Sequence, residues 1–172
     1  MTQFPPTADI CDALGHAVRV IDLPLKSFTD VTVFAGPAKL ITLYGPDVAL
    51  ADLLRGDGEG AVAVVQVHNA RKPAVFGDGM ARAAEANNWA GVLIDGNLRD
   101  TALIAPRRVG VLATGINPRI ERTGPLAEAD QPTTLGTTPI APGDWIVADA
   151  DSTLILTTEQ AAQLTSGKHQ AT

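Results

Sequence analysis

Apolar residues along this chain fall into short blocks separated by glycine, proline and acidic turns. Three blocks are near-continuous runs of strand length: Ala61–Val67 (AVAVVQV), Gly91–Ile94 (GVLI) and Val109–Ala113. Strands covered on both faces read this way. Between and before them, apolar positions at helical spacing predict helices over Pro46–Leu54, about Gly79–Asn88 and Thr101–Ala105. Strand, loop, helix and strand following each other over Ala61–Ile94 make a βαβ unit. The pattern predicts a layered α/β fold.

The flanks are patterned differently. Thr7–Leu14 predicts a short helix with Thr7 as its cap, Ile10, Cys11 and Leu14 on one face, and Gly15 as its stop. Val18–Ile21 reads as extended. Thr32–Ala35 and Lys39–Tyr44 read as strands joined through a turn or bulge at Gly36-Pro37. His68–Phe76 is expected to be a loop, and Gly115–Pro132 a long connection. Thr133–Ile140, Trp145–Ala148 and Thr153–Leu156 read as strands, with turns at Pro142-Gly143 and Asp149–Asp151. Thr157 and Gln160 have capping-box spacing, predicting a closing helix to about Leu164. One domain over residues 1–172 is expected, with its core at about 7–165 and a frayed tail at 166–172.

Composition narrows the function classes. The 172 residues are 45% apolar and 19% charged, enough for a folded domain with a buried core. Thirteen Lys and Arg stand against nineteen Asp and Glu, a net charge of -6, and no basic run tracks a phosphate backbone. Direct nucleic-acid binding is therefore not expected. The one cysteine, Cys11, allows no intrachain disulfide and reads as a buried small residue. The start, MTQFPPTAD, does not read as a signal peptide, and no apolar run approaches the ~18 residues of a membrane span. A cytoplasmic protein without membrane contact is expected.

Candidate chemistry concentrates between Gly77 and Asp100. Gly77-Asp78-Gly79 opens a predicted helix after a strand and loop. First-turn N–H groups and the helix dipole suit a carboxylate or phosphate there, and the glycines permit close approach. From composition alone Asp78 reads more readily as a helix cap for those N–H groups. Arg99-Asp100 follows a buried strand and a turn at Gly96-Asn97, where α/β folds carry ligands. A surface ion pair, or a second cap by Asp100, explains the same residues. His68 is either a site residue or a loop histidine bonded to backbone; His16 and His169 suggest no role. Asp144, Asp149 and Asp151 are better explained by turns than by a metal. Trp89 and Trp145 are expected in the core or at a subunit contact.

Taken together, TADICDA near the start, FAGPA at Phe34–Ala38, NNWAGVLIDGNLRD, TGINPR at Thr114–Arg119 and PGDWIVADAD at Pro142–Asp151 resemble the RraA-like proteins. These include the regulator of ribonuclease activity A and the class II aldolases acting on 4-hydroxy-4-methyl-2-oxoglutarate. The aldolases carry an Asp, twenty residues, then Arg-Asp, and Asp78 and Arg99-Asp100 have that spacing. The resemblance implies a swivelling β/β/α domain assembled as homotrimers or pairs of trimers. It implies Mg²⁺ or Mn²⁺ on Asp100, with Asp78 holding a metal-bound water. Arg99 would contact the keto oxygen of a 2-oxo acid, and the backbone of Gly77, Asp78, Gly79 and Met80 would hold its carboxylate. A retro-aldol or an oxaloacetate decarboxylation passes through the same pyruvate enolate, so one site could serve both. Two departures bear on substrate shape. Gln66–Ala70 stands where relatives commonly have Asp and glycines, on the expected opposite wall, and Asp151-Ser152 stands for Asp-Gly. Regulator members often lack the acid after the arginine, so Asp100 favours a lyase over the alternative, a non-catalytic inhibitor of a ribonuclease E-type enzyme.

Overall fold

The computed structural model describes residues 4–69, 72–122, 124 and 127–166. In chain order its elements are α1 (Thr7–Leu14), β1 (Arg19–Val20), β2 (Lys26–Ser27), β3 (Phe34–Leu43), α2 (Val48–Arg55), β4 (Val62–Val67) and β5 (Ala74–Phe76). Then come α3 (Asp78–Ala86), β6 (Gly91–Leu98), α4 (Thr101–Ile104), β7 (Gly110–Ile116) and β8 (Ala127–Ala129). The chain closes with β9 (Thr133–Leu135), β10 (Thr138–Ile140), β11 (Trp145–Ala148), β12 (Thr153–Leu156) and α5 (Thr158–Ser166).

The parallel centre is β3-β4-β6-β7. Its side chains alternate between two cores, as a pleated strand requires. Ala63, Val65, Val92, Ile94, Val111 and Ala113 face a core shared with Leu50 and Leu54 of α2 and Ala81 and Ala84 of α3. Val62, Val64, Leu93 and Leu112 face the other way, onto Leu135, Ile140, Ile146 and Ile155. A third cluster joins Ile10 of α1 to Val147, Leu154 and Leu156, with Leu164 of α5 packed against it. The result is the expected layered α/β architecture: helices, a parallel sheet, then an antiparallel layer. Two-sided burial explains why the central strands lack polar alternation.

The sequence reading is corrected at several joints. Gly36-Pro37 is no turn, because β3 runs straight through it. Residues 34–37 pair antiparallel with β11, and residues 38–43 pair parallel with β4. Gly36 is needed because a Cβ there would lie 2.1 Å from the Gly60 carbonyl oxygen. Gly96-Asn97 lies inside β6, which is longer than its apolar run. The expected loop at 68–76 contains β5, and the long connection contains β8, both short strands with little pattern of their own. Thr133–Ile140 is a β9–β10 hairpin turning at Gly136, φ +59°.

Thr7 does not cap α1; it is the first helical residue. Its N–H and hydroxyl donate to Asp149 Oδ2 and Oδ1, each at 2.7 Å. Asp149 also accepts from the Asp151 and Ser152 N–H groups, and Asp144 accepts from the Ala141 N–H and pairs with Arg19. Both acids are thus used in turns. The capping box forms as read: the Thr157 N–H donates to Gln160 Oε1, and the Gln160 N–H to Thr157 Oγ1. Trp89 is buried, and Trp145 packs on Phe4. Cys11 is only half-buried. Among the described residues no helix is long and apolar enough to cross a membrane. The expected frayed tail after Ser166, with His169, lies outside the described residues.

Candidate functional site

Strand pairing brings the two ends of the Gly77–Asp100 segment together. β5 lies parallel to β6 with Phe76 opposite Leu98, and the Arg99 N–H donates to the Phe76 carbonyl at 3.0 Å. Gly77-Asp78 and Arg99-Asp100 therefore leave adjacent strands at their carboxyl ends, where open α/β sheets carry ligands. A cleft of about 310 Å³ opens there, lined by Gly77, Asp78, Gly79, Met80, Arg99 and Asp100. The residues to which the resemblance gave roles, Gly77 to Met80, Arg99 and Asp100, all border this one cleft. Asp47, Ala51 and Arg55 of the α2 region and Ile120 complete its lining.

Asp100 has φ 60°, ψ 35°, the left-handed region. Aspartate tolerates this better than most residues, at a cost of about 1 kcal/mol or more, and such backbone clusters at functional sites. Its carbonyl accepts the Leu103 and Ile104 N–H groups, but its carboxylate makes no capping bond to α4. The carboxylate lies beside Gly77, where a Cβ would come within 2.8 Å of Oδ2. Arg99 Nε is 3.4 Å from that oxygen, with both side chains 39% exposed, so the adjacent pair does form at the cleft mouth.

Asp78 does not cap α3 either. Its carboxylate is only 12% exposed; Arg107 Nη2 is 3.1 Å from Oδ1 and Arg82 Nη2 is 3.2 Å from Oδ2. With no side-chain cap, the first turn stays available. The Met80 and Ala81 N–H groups donate to the Gly77 carbonyl. The Asp78 and Gly79 N–H groups have no acceptor among the described residues, and the space beside Gly79 is open. The N–H groups open to an acceptor are thus those two, fewer than the span from Gly77 to Met80 that the sequence suggested.

Three contributors were not read from the sequence. Asp47 borders the cleft at the start of α2 without capping it by its side chain. Burial pushes its carboxyl up from the ordinary carboxylate range, against its own backbone hydrogen bond and the nearby Arg99 and Arg122. Pro46-Asp47 before a helix looks like any cap, so no signal marked it. Arg55 follows the predicted helix with no motif to mark it, and it also pairs with Asp52. Arg107 sits 29 positions from Asp78 with no motif linking them.

Gln66 and His68 do not wall this cleft. They line a separate depression with Arg19, Thr133 and Pro139. Gln66 is buried and accepts from the Thr133 hydroxyl. The His68 main-chain N–H donates to the Leu43 carbonyl, and its ring stacks on Tyr44 with centroids 5.6 Å apart. Asn69 bonds Glu121, and Ala70 lies outside the described residues.

The donor set suits a particular kind of ion. No group of three or more His, Cys, Asp or Glu among the described residues could form a cage. A single uncapped carboxylate, Asp100, facing an open cleft, with Asp78 on the same lining, is a set that a hard cation keeping most of its waters can use. Mg²⁺ and Mn²⁺ fit this set; a zinc site would want nitrogen or sulfur ligands.

Comparison with known proteins follows the same lines. The profile of the RraA-like family (Aldolase/RraA) matches residues 7–155. A Burkholderia mallei (strain SAVP1) protein named "Putative 4-hydroxy-4-methyl-2-oxoglutarate aldolase" is 36% identical over 154 residues, covering 87% of this chain and 93% of its own. The structure of the RNA-processing inhibitor RraA from Thermus thermophilis superposes with a TM-score of 0.83 at 27% identity, covering 90% of this chain and 93% of that one. The S-adenosylmethionine:2-dimethylmenaquinone methyltransferase structure from Geobacillus kaustophilus HTA426 gives 0.83 at 30% identity, covering 89% and 95%.

Proposed function

The chain belongs to the RraA-like (Aldolase/RraA) family, and from that premise we propose that it is a divalent-metal-dependent lyase. It cleaves a C–C bond of a 2-oxo acid to release pyruvate, with 4-hydroxy-4-methyl-2-oxoglutarate and oxaloacetate as the substrate types. Relatives carry three different functional names, so the reading rests on the site. The observation that carries it is the meeting of an uncapped Asp100, Arg99, Asp78 and an open helix N-terminus in one cleft.

Mg²⁺ or Mn²⁺, held by Asp100 and through water by Asp78, would supply Lewis-acid polarisation of the keto oxygen. The remaining roles fall to the chain. The Asp78 and Gly79 N–H groups bind the substrate carboxylate. Arg99, 39% exposed at the mouth, places its guanidinium where negative charge grows on the keto oxygen as the bond breaks. Arg55 gives the lining a second cation, which suits the second carboxylate of both substrate types. Assembly as a homotrimer or a pair of trimers is part of the same proposal. Light scattering would give the mass.

Pyruvate release from both substrates, with and without Mg²⁺ or Mn²⁺, tests the reading. Asp100→Ala is expected to abolish it, and unchanged turnover in that variant would sink the proposal. The likeness to the Thermus inhibitor favours a second reading, a protein that docks on a ribonuclease. That reading requires a stable complex and inhibited RNA cleavage, both indifferent to Asp100→Ala.

A further inference from the structure

We propose that Arg107, braced by Glu85, is the positioning residue that fixes the Asp78 carboxylate for its water contact at the metal site. The inference rests on the metal reading above.

Asp78 stands in the first turn of α3, where an aspartate usually folds back onto the helix N–H groups. Here it does not. Two arginines hold it instead, and they are not equivalent. Arg82 lies one turn along the helix and is 61% exposed, a pair that contributes little. Arg107 is 26% exposed and is itself held. Its Nε donates to the Leu103 carbonyl at 3.3 Å, and its Nη1 to Glu85 Oε2 at 3.5 Å. The neighbouring Arg108 N–H donates to Glu85 Oε1 at 2.8 Å. One carboxylate, on the last turns of α3, thus grips both the Arg107 guanidinium and the backbone beside it.

The connectivity gives this brace its meaning. Asp100 opens α4, and Arg107 lies in the short link between α4 and β7. A one-turn helix therefore joins the metal-binding acid to the arginine that holds the other acid. Asp78 and Asp100 are fixed relative to one another through Arg107, not only through the strands beneath them. The two arginine bonds take two of about four acceptor positions on the Asp78 carboxylate, so it can still accept from water. Losing an outer-shell partner of a metal site typically costs about 10–100-fold in affinity, which bounds what losing the residue that positions it can cost.

The test is Mn²⁺ binding to the purified full chain without substrate, read as the free-Mn²⁺ signal in electron paramagnetic resonance, beside the melting temperature. Arg107→Gln is expected to weaken Mn²⁺ binding about 10–100-fold. Arg107→Lys, which keeps the charge, recovers part of the loss. Glu85→Gln weakens binding several-fold, and Arg82→Gln stays within about twofold, as expected of an exposed pair. If the wild type binds Mn²⁺ and Arg107→Gln binds it equally well, the inference is overturned while the metal site stands. If Arg107→Gln fails to fold, wild-type affinity in both Arg107→Lys and Glu85→Gln, with lowered melting temperatures, assigns the network to stability alone and overturns it too. A wild type without Mn²⁺ affinity removes the metal reading and this inference with it.

Discussion

Gly77→Ala adds one carbon where β5 hands over to α3. Built on the observed backbone, that carbon lies 2.8 Å from Asp100 Oδ2, 3.5 Å from Arg99 Cγ and 3.6 Å from Arg99 Nε. Carbon–oxygen contacts settle at roughly 3.3–3.6 Å, so the Asp100 carboxylate must give way by about 0.5–0.8 Å. The backbone raises no objection, since Gly77 is extended at φ -154°, ψ -173°, within reach of alanine. Losing a glycine also makes the unfolded chain less free, worth about 0.4–1 kcal/mol of stability. That gain and the displaced carboxylate leave net stability within about 1 kcal/mol, or under ~4 °C in melting temperature. The site is far less tolerant, because a misplacement of about 1 Å can cost on the order of 100-fold in rate. Metal-dependent pyruvate release, followed through lactate dehydrogenase and NADH, should therefore fall about 10–100-fold while melting barely moves. Activity within about twofold of wild type would show that the Asp100 position does not matter, and the reasoning would fail.

Other expectations address fold and conditions. Gly110→Ala drives a Cβ to 2.1 Å from Phe34 Cδ1, and overpacking of this kind costs about 1–3 kcal/mol, read as a lower denaturation midpoint with site residues unchanged. Asp149→Asn removes an acid that burial tends to raise but that bonds from Thr7, Ser152 and Asp151 hold below the ordinary carboxylate range. A lowered folded pKa stabilises above the unfolded value, about 3.9, and the contribution disappears as pH falls through the folded one. The variant should thus melt lower than wild type at pH 7, by about 1 kcal/mol after solvent screening, with the gap closing only below the usual carboxylate range. EDTA should abolish pyruvate release yet leave the circular dichroism spectrum intact, because the core clusters form without the cleft carboxylates.

How far the sequence could be read depended on whether a feature was local. The βαβ return from Ala61 to Asp100 was legible because two-sided burial writes itself as continuous apolar runs. The capping box at Thr157–Gln160 was legible because both partners sit within one turn. Gly36-Pro37 and Gly96-Asn97 looked like turns because glycine there answers a tertiary demand. At Gly36 it is the closeness of the Gly60 carbonyl; at Gly96 it is the Val67 side chain, 2.5 Å from where a Cβ would stand. β5 and β8 are three residues each and owe their form to the strands they join. At the site, the resemblance to the aldolases singled out Asp78, Arg99 and Asp100, and strand pairing explains why they meet. Arg107 and Asp47 stayed hidden because their partners are distant in the chain and neither belongs to a periodic pattern. The cap readings of Asp78 and Asp100 could be settled only by coordinates, since a capping acid and a ligand acid look identical in sequence.

A crystal grown with Mn²⁺ and oxalate, a flat mimic of the pyruvate enolate, puts the central claim to its most direct test. Anomalous scattering at the manganese edge should give a peak on the order of 2 Å from an Asp100 carboxylate oxygen. Water should link the ion to Asp78, and one oxalate carboxylate should lie on the Asp78 and Gly79 N–H groups. A manganese peak elsewhere, or none at the cleft under saturating ion, would contradict the account.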